Sequence, residues 1–163
     1  FVQYDSKSLK EISRTPLKRT IYPLIYGKMK EDLAPQLSSA RLAPDGKTLY
    51  AYITYSSETK NDNEHKPIFL TIPLDDIEKN TKDELEINSG QTSNLLISKS
   101  GDLAIIALTG EGDIYFIETA TGKIIHKLNI DGYPIKLALS PDGKTIAVAD
   151  KINGIQLVGV PKE

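Results

Sequence analysis

The chain has 163 residues, of which 39% are hydrophobic and 26% charged, a composition that allows one globular domain with a sizeable core. Twenty basic and 22 acidic residues give a net charge of −2, which offers no electrostatic reason to expect nucleic acid or an anionic membrane as partner. The absence of cysteine excludes disulfides, thiolate nucleophiles, zinc–thiolate sites and iron–sulfur centres. No apolar run approaches the ~18 residues of a membrane-spanning helix.

The first part of the chain combines a short hairpin with an irregular segment. Two strands, at residues 1–4 and 9–14, are predicted on either side of a polar turn at residues 5–8. Residues 16–36 contain three prolines and a glycine and show no apolar period. We expect a long irregular connection there, with a short helical turn around residues 29–33.

A hairpin pattern recurs along the rest of the chain. An apolar alternation, a Pro-Asp-Gly-Lys turn and a second alternation occur at residues 37–54 and again at residues 133–149. A weaker copy surrounds Gly101. Alternating apolar residues joined by an Asp-Gly turn are typical of a two-stranded hairpin, and a recurring hairpin indicates a repeat architecture.

Further strands follow each hairpin. A polar loop is predicted at residues 55–66 and a charged turn or short helix at residues 74–82. The remaining strands are predicted at residues 67–72, 84–88, 92–97, 102–108, 113–118, 123–128 and 154–158.

The spacing of the turn glycines predicts the size of the repeat. Gly101 and Gly143 are 42 residues apart, which matches the ~40–45 residues of a four-stranded propeller blade. Gly46 and Gly101 are 55 residues apart, and the polar loop together with the charged turn can hold the excess. The chain is therefore predicted to be all-β and built from four-stranded antiparallel repeats.

Two segments resemble a known family. Residues 113–125 and 139–148 are similar to the bacterial and archaeal β-propeller repeats called YVTN or surface-layer propellers, and the match extends over residues 37–160. The resemblance implies a β-propeller and a periplasmic or extracellular location. It is nearly silent on function, because the turns that carry it are structural.

The strand pattern predicts where blades begin and end. Residues 1–15 would be the last two strands of a preceding blade, and residues 16–36 a connection. A blade with a long insertion would span residues 37–89, a compact blade 90–130, and the first three strands of a further blade 131–163. Because propellers close with about 4–8 blades, we expect these roughly three blades to be part of a larger propeller, or to be completed by another chain.

The two rims of such a fold differ in character. Turns joining strands one to two and three to four lie on one rim, here called the turn rim, and the other connections lie on the opposite loop rim. Both irregular insertions fall on the loop rim, and loops carry function while scaffolds carry stability. Aromatic side chains in irregular loops suit partner contact, although they can also fold back onto the rim. The candidate partner-binding residues are Tyr22, Tyr26, Met29, Tyr55 and His65.

No pattern points to catalysis or to a bound metal. The Asp-Gly-Lys turns are explained by turn geometry, in which Asp accepts backbone N–H groups and Gly takes a positive φ. Asp62, Glu64 and His65 are metal-ligand types, but their position in one polar loop is more typical of a solvated loop. We assign no catalytic residue, metal or cofactor, and no enzymatic activity to this chain alone.

Two functions remain from the sequence. The first is a propeller scaffold that binds or assembles with protein, either a partner or the remaining blades. The second follows from a similarity of residues 42–70 to the propeller subunit of quinohemoprotein amine dehydrogenases, which implies a periplasmic redox enzyme whose cofactors are carried by other chains. A lactonase-type propeller hydrolase would need acidic and His ligands around its channel, for which this chain has too few candidates.

Overall fold

The computed structural model describes residues 2–14, 33–57, 66–87 and 92–161. Within these ranges the regular structure is β except for one 3-10 turn, Ile77–Lys79. The chain divides into two compact units, Phe1–Leu33 and Ala34–Glu163.

In the described residues of the first unit, β1 (Val2–Tyr4) pairs with β2 (Glu11–Arg14) as an antiparallel hairpin. Asp5 organises the turn, because its Oδ1 accepts the N–H of Ser8 at 2.6 Å and of Lys7 at 3.2 Å. The predicted hairpin is thus present, with its turn where the polar run 5–8 indicates.

The second unit contains three antiparallel sheets with sequential strand order. Within each sheet, strands that are consecutive in the chain are also neighbours in space. The first sheet is β3 (Leu33–Leu42), β4 (Thr48–Ser57), β5 (Ile68–Pro73) and β6 (Thr81–Glu84). The second is β7 (Thr92–Ile97), β8 (Leu103–Leu108), β9 (Asp113–Glu118) and β10 (Ile124–Asn129). The third is β11 (Pro134–Leu139), β12 (Thr145–Asp150) and β13 (Gly154–Gly159).

The strands of the first sheet extend beyond their predicted limits. β3 begins at Leu33, inside the stretch predicted to be irregular, and includes Pro35. Proline lacks an N–H, but β3 is an edge strand, where one missing donor is tolerated. β4 continues to Ser57, so the first three residues of the predicted polar loop belong to a strand.

The fourth strand of the first sheet lies earlier than predicted. It was expected at residues 84–88 because Leu85 and Ile87 alternate with polar residues, whereas β6 spans Thr81–Glu84. Leu85 instead follows the strand and is 1% exposed, with its N–H donated to the carbonyl of Pro67 at 2.8 Å. The apolar pair therefore marks core packing after the strand. The short helix predicted in residues 74–82 is the 3-10 turn.

The core lies between consecutive sheets. Tyr50, Tyr52 and Phe69 of the first sheet pack with Ile106 and Tyr115 of the second in one buried cluster. Burial on this scale contributes about 1.5–3 kcal/mol for each large apolar side chain. Tyr50 and Tyr52 thus pack between sheets, and the side chain of Tyr55 is not among those described. A second cluster joins the second and third sheets and includes Ile105, Phe116, Leu137, Ile146 and Val148.

Candidate functional site

Most of the predicted partner-binding residues lie outside the described part of the chain. Tyr22, Tyr26, Met29 and His65 are not in the described ranges, and Tyr55 lies in β4 without a described side chain. The loop-rim hypothesis therefore stays a prediction.

The repeated Asp-Gly turns have the structural role that their sequence predicts. Asp142 Oδ1 accepts Ser140 Oγ at 2.6 Å and the N–H of Lys144 at 3.0 Å. These hydrogen bonds, led by that of Ser140, hold the pKa of Asp142 below its usual value. Gly143 has φ of +73°, which costs little only for glycine. The Asp142 carboxylate therefore accepts hydrogen bonds within its own turn, which is a structural role.

Hydrogen bonds define the two rims within the second sheet. On the turn rim, Thr119 donates its N–H to the carbonyl of Asp102 at 2.9 Å and its Oγ1 to the carbonyl of Gly101 at 2.7 Å. On the loop rim, the N–H of Ile130 donates to the carbonyl of Gly112 at 3.0 Å. Turns one-two and three-four are thus neighbours at one end, and the other connections meet at the opposite end.

At each of the two junctions between neighbouring sheets, one polar side chain joins the innermost strands. Ser39 Oγ in β3 accepts the N–H of Leu95 in β7 at 3.0 Å. Asn94 in β7 is 5% exposed, its Oδ1 accepts the N–H of Leu137 in β11 at 2.7 Å, and its Nδ2 donates to the Leu137 carbonyl at 3.1 Å. A polar side chain at this place therefore joins each sheet to the next.

These joining residues occupy one position of the repeat. Ser39 and Asn94 each stand seven residues before a turn glycine, Gly46 and Gly101. The same position in the third sheet is Lys136, which is exposed. The equal spacing is present in the sequence, but the joining role of these residues was not predicted from it. An ammonium group can only donate, so Lys136 suits a carbonyl or carboxylate acceptor on whatever covers the third sheet.

A buried carboxylate, Asp113, lies at the start of β9 on the loop rim of the second sheet. Its oxygens accept Lys127 Nζ at 2.7 Å, Asn129 Nδ2 at 2.8 Å and Tyr115 Oη at 3.1 Å. Burial works to raise the pKa of Asp113, but Lys127, Asn129 and Tyr115 together hold it below its usual value. Each group in this cluster has a partner within the sheet, which indicates a structural network.

A cleft of about 500 Å³ opens on the turn rim between the second and third sheets. Phe116, Ile125 and His126 line the side of the second sheet, and Val160 and Pro161 the side of the third. The His126 ring is tilted by 57° against Phe116, with centroids 5.6 Å apart. His126 is exposed and borders this cleft, which the sequence did not indicate. Asp102 and Glu118 line the same wall.

The outer face of the third sheet is apolar and exposed. Ile155 and Leu157 of β13 are 76% and 73% exposed. Leu157 pairs with Ala147 as Phe116 pairs with Ile105 in the second sheet, and both Ala147 and Ile105 follow their turn glycine by four residues. Phe116 and Ile105 are fully buried against the third sheet. The corresponding face of the third sheet thus has the residue types of a sheet-packing face.

In the described part of the chain, no group of three His, Cys, Asp or Glu side chains could hold a metal ion. In the same ranges, no helix is long and apolar enough to cross a membrane.

Comparison with solved structures shows a β-propeller fold. The chain is similar to hydrazine synthase of Kuenenia stuttgartiensis, with a TM-score of 0.60, 21% identity, and coverage of 82% of this chain and 35% of that one. It is similar to a putative 6-phosphogluconolactonase of Bacteroides uniformis ATCC 8492, with a TM-score of 0.56, 19% identity, and coverage of 80% and 38%. The β-propeller domain of Myceliophteria thermophila Cps50 (Swd1) matches with a TM-score of 0.50, 14% identity, and coverage of 77% and 52%.

At these identities the likeness shows the fold alone. The chain spans 35–52% of the length of these three structures. No family model matches the chain, and no curated protein matches it. The similarities to YVTN propellers and to the quinohemoprotein subunit therefore stay predictions.

Proposed function

We propose that the chain is a β-propeller scaffold that acts as a protein-binding or assembly module, and that it assembles through the outer face of the third sheet. The observation that carries this proposal is the exposure of Ile155 and Leu157 at positions whose counterparts in the second sheet are buried by the next sheet. Contiguous exposed apolar positions on a sheet mark an interaction surface.

The partner that fits this face is a further antiparallel sheet, a neighbouring blade. Two consecutive sheet junctions in this chain use the same arrangement, apolar faces in contact and a polar side chain between innermost strands. The third sheet continues this series with Leu157 on its face and Lys136 at the joining position. The partner sheet should therefore present apolar side chains and an acceptor oxygen opposite Lys136.

The loops of the loop rim supply a second part of the same proposal. Residues 15–32 connect β2 to β3 and residues 58–67 connect β4 to β5, so both are connections of the loop rim, and loops are where function concentrates. We expect Tyr22, Tyr26, Met29, Tyr55 and His65 to contribute to partner binding there. The periplasmic or extracellular location is also an expectation, from the family resemblance alone.

Sedimentation of the isolated chain tests the assembly proposal. Without a neighbouring blade, the face should drive concentration-dependent self-association. The double substitution Ile155→Lys with Leu157→Lys removes about 1.5–3 kcal/mol of burial per side chain and should weaken association by about 100-fold or more. Leu37→Lys is a matched control, because Leu37 is 65% exposed on β3 of the first sheet. A wild-type chain that stays monomeric, or equal loss in the control, would contradict the proposal.

A further inference from the structure

A carboxylate lies at the junction of the first and second sheets, where the turn between β9 and β10 rests on β6. The side chain of Asp83 in β6 packs directly on Gly122 of that turn, so that a Cβ at Gly122 would collide with the Asp83 carboxylate. Gly122 is buried and Asp83 is partly buried. The carboxylate therefore occupies space between two sheets that a side chain in the turn would otherwise fill.

This carboxylate differs from the others of the turn rim in having no compensating contact. Among the described residues, the oxygens of Asp83 take part in no hydrogen bond and no ion pair. By contrast, Asp102 Oδ1 accepts Ser98 Oγ at 2.6 Å and Ser100 Oγ at 2.5 Å. Burial without such donors disfavours the charged form and raises the pKa of Asp83.

The turn that covers Asp83 supplies no charge that offsets its own. Glu118 and Lys123 are the charged residues at the two ends of the turn. The Glu118 carboxylate accepts the hydroxyl of Thr121 within the turn, and Lys123 is exposed to solvent. Burial alone accounts for the raised pKa of Asp83.

The charged side chains of the first sheet near Asp83 lie on another face or have partners. Lys82 and Glu84 alternate with Asp83 along β6, so they lie on the opposite face of the strand. Phe69, which is uncharged, is opposite Asp83 on β5. Charged groups before and after β6 form ion pairs of their own, Asp76 with Lys79 and Glu86 with Lys66.

We infer that Asp83 makes the junction of the first and second sheets sensitive to pH, tighter when its carboxyl is protonated and looser when it is ionised. A neutral carboxyl packs on Gly122 without desolvating a charge, whereas the ionised form opposes the contact. Because the folded pKa of Asp83 is raised, its contribution to stability is fully present below the unfolded pKa of about 3.9 and is lost as the pH rises through the folded value. The device lies within this chain and goes beyond its proposed assembly role.

Urea unfolding of Asp83→Asn tests the sign of the effect. The amide has nearly the shape of the carboxyl but no charge, so the unfolding midpoint at pH 7 should lie above that of the wild type. The gap should narrow toward pH 4, where Asp83 of the wild type becomes protonated. Glu84→Gln removes the exposed carboxylate next along β6 and should leave the midpoint nearly unchanged. A midpoint of Asp83→Asn at or below the wild type at pH 7, or a gap that does not depend on pH, would overturn the inference.

A second pair of variants tests whether the effect depends on the contact. Gly122→Ala displaces the Asp83 side chain, and Gly46→Ala is its control, because the two glycines have similar φ of +67° and +71° but a Cβ at Gly46 meets nothing within 4 Å. Gly122→Ala should be the less stable of the two. In the Gly122→Ala background, Asp83→Asn should no longer raise the midpoint, since the carboxylate is then in water. An undiminished gain there would contradict a role for the contact.

NMR titration of the wild-type chain provides a measurement that needs no variant. The carboxyl carbon of Asp83 should titrate above about 3.9, the usual value for Asp, and the amide of Gly122 should follow the same curve. Titration of Asp83 at or below that value, or a Gly122 amide that does not respond to it, would overturn the inference.

Discussion

The carboxamide of Asn94 makes two hydrogen bonds with the main chain of Leu137. Its Nδ2 donates to the carbonyl at 3.1 Å, and its Oδ1 accepts the N–H at 2.7 Å. This pair links the innermost strands of the second and third sheets. Ser39 makes the simpler form of the link one sheet earlier, with a single hydrogen bond to the N–H of Leu95. The joining side chain thus makes one hydrogen bond to the next sheet at the first junction and two at the second.

Removing the Asn94 side chain should destabilise the chain by about 1–3 kcal/mol. Asn94→Ala leaves two buried backbone groups of Leu137 without these partners, and buried unsatisfied groups are expensive. Urea unfolding measures the change in free energy. Ser39→Ala is the matched comparison and should cost less, because it removes one hydrogen bond instead of two. Equal costs for both variants would contradict this reading of the joining position.

A side chain at position 132 should be excluded sterically. A Cβ there would collide with Asp150 Oδ2, whose carboxylate also accepts the N–H groups of Ile152 and Asn153 at 2.8 and 2.7 Å. Gly132→Ala should destabilise the chain by about 1–3 kcal/mol. Gly159→Ala is the control, since a Cβ there meets nothing within 4 Å, and thermal unfolding should separate the two variants. A neutral Gly132→Ala would show that the loop moves aside freely.

The Asp113 network should make stability fall in acid. Because the pKa of Asp113 is lowered in the folded chain, the stability that it contributes is present above its unfolded pKa of about 3.9 and is lost as the pH falls through the lower folded value. Asp113→Asn removes the ionic contact with Lys127 and should cost about 1–2 kcal/mol at pH 7.

The acid sensitivity separates this charge effect from packing. Measured by chemical unfolding at pH 7 and pH 3, the gap between Asp113→Asn and wild type should narrow in acid. Carboxylates with lowered pKa in Asp102 and Asp142 keep their own pH dependence in both proteins and act as an internal reference. A gap that is the same at both pH values would show that the network acts through shape alone.

Local patterns in the sequence were sufficient for the fold. The observed sheets follow three patterns in the sequence. The turn glycines mark turns, the alternation around Tyr50 and Tyr52 marks a strand, and the 42-residue spacing gives the length of a repeat. The predicted position of the fourth strand of the first sheet was wrong. A buried Leu85 gives the same apolar pattern in the sequence whether it lies in the strand or packs just after it.

Features that arise between sheets were harder to predict. The cleft beside His126 depends on where the third sheet ends relative to the second, which no local pattern records. Asn94 and Lys136 look like ordinary polar positions in strands, and only comparison at equal distance from the turn glycine shows that they are equivalent. Partner contact at the loop rim stays a prediction, since its residues lie outside the described ranges.

The most direct test of the assembly role is a fluorescence measurement on the outer face of the third sheet. The chain has no cysteine, so Leu157→Cys and Leu37→Cys each provide one labelling site for a polarity-sensitive dye. If a sheet docks on this face, the emission of the dye at residue 157 should shift to shorter wavelength as the chain associates. The emission of the dye at residue 37 should not shift. Identical behaviour of the two labels throughout association would contradict the account.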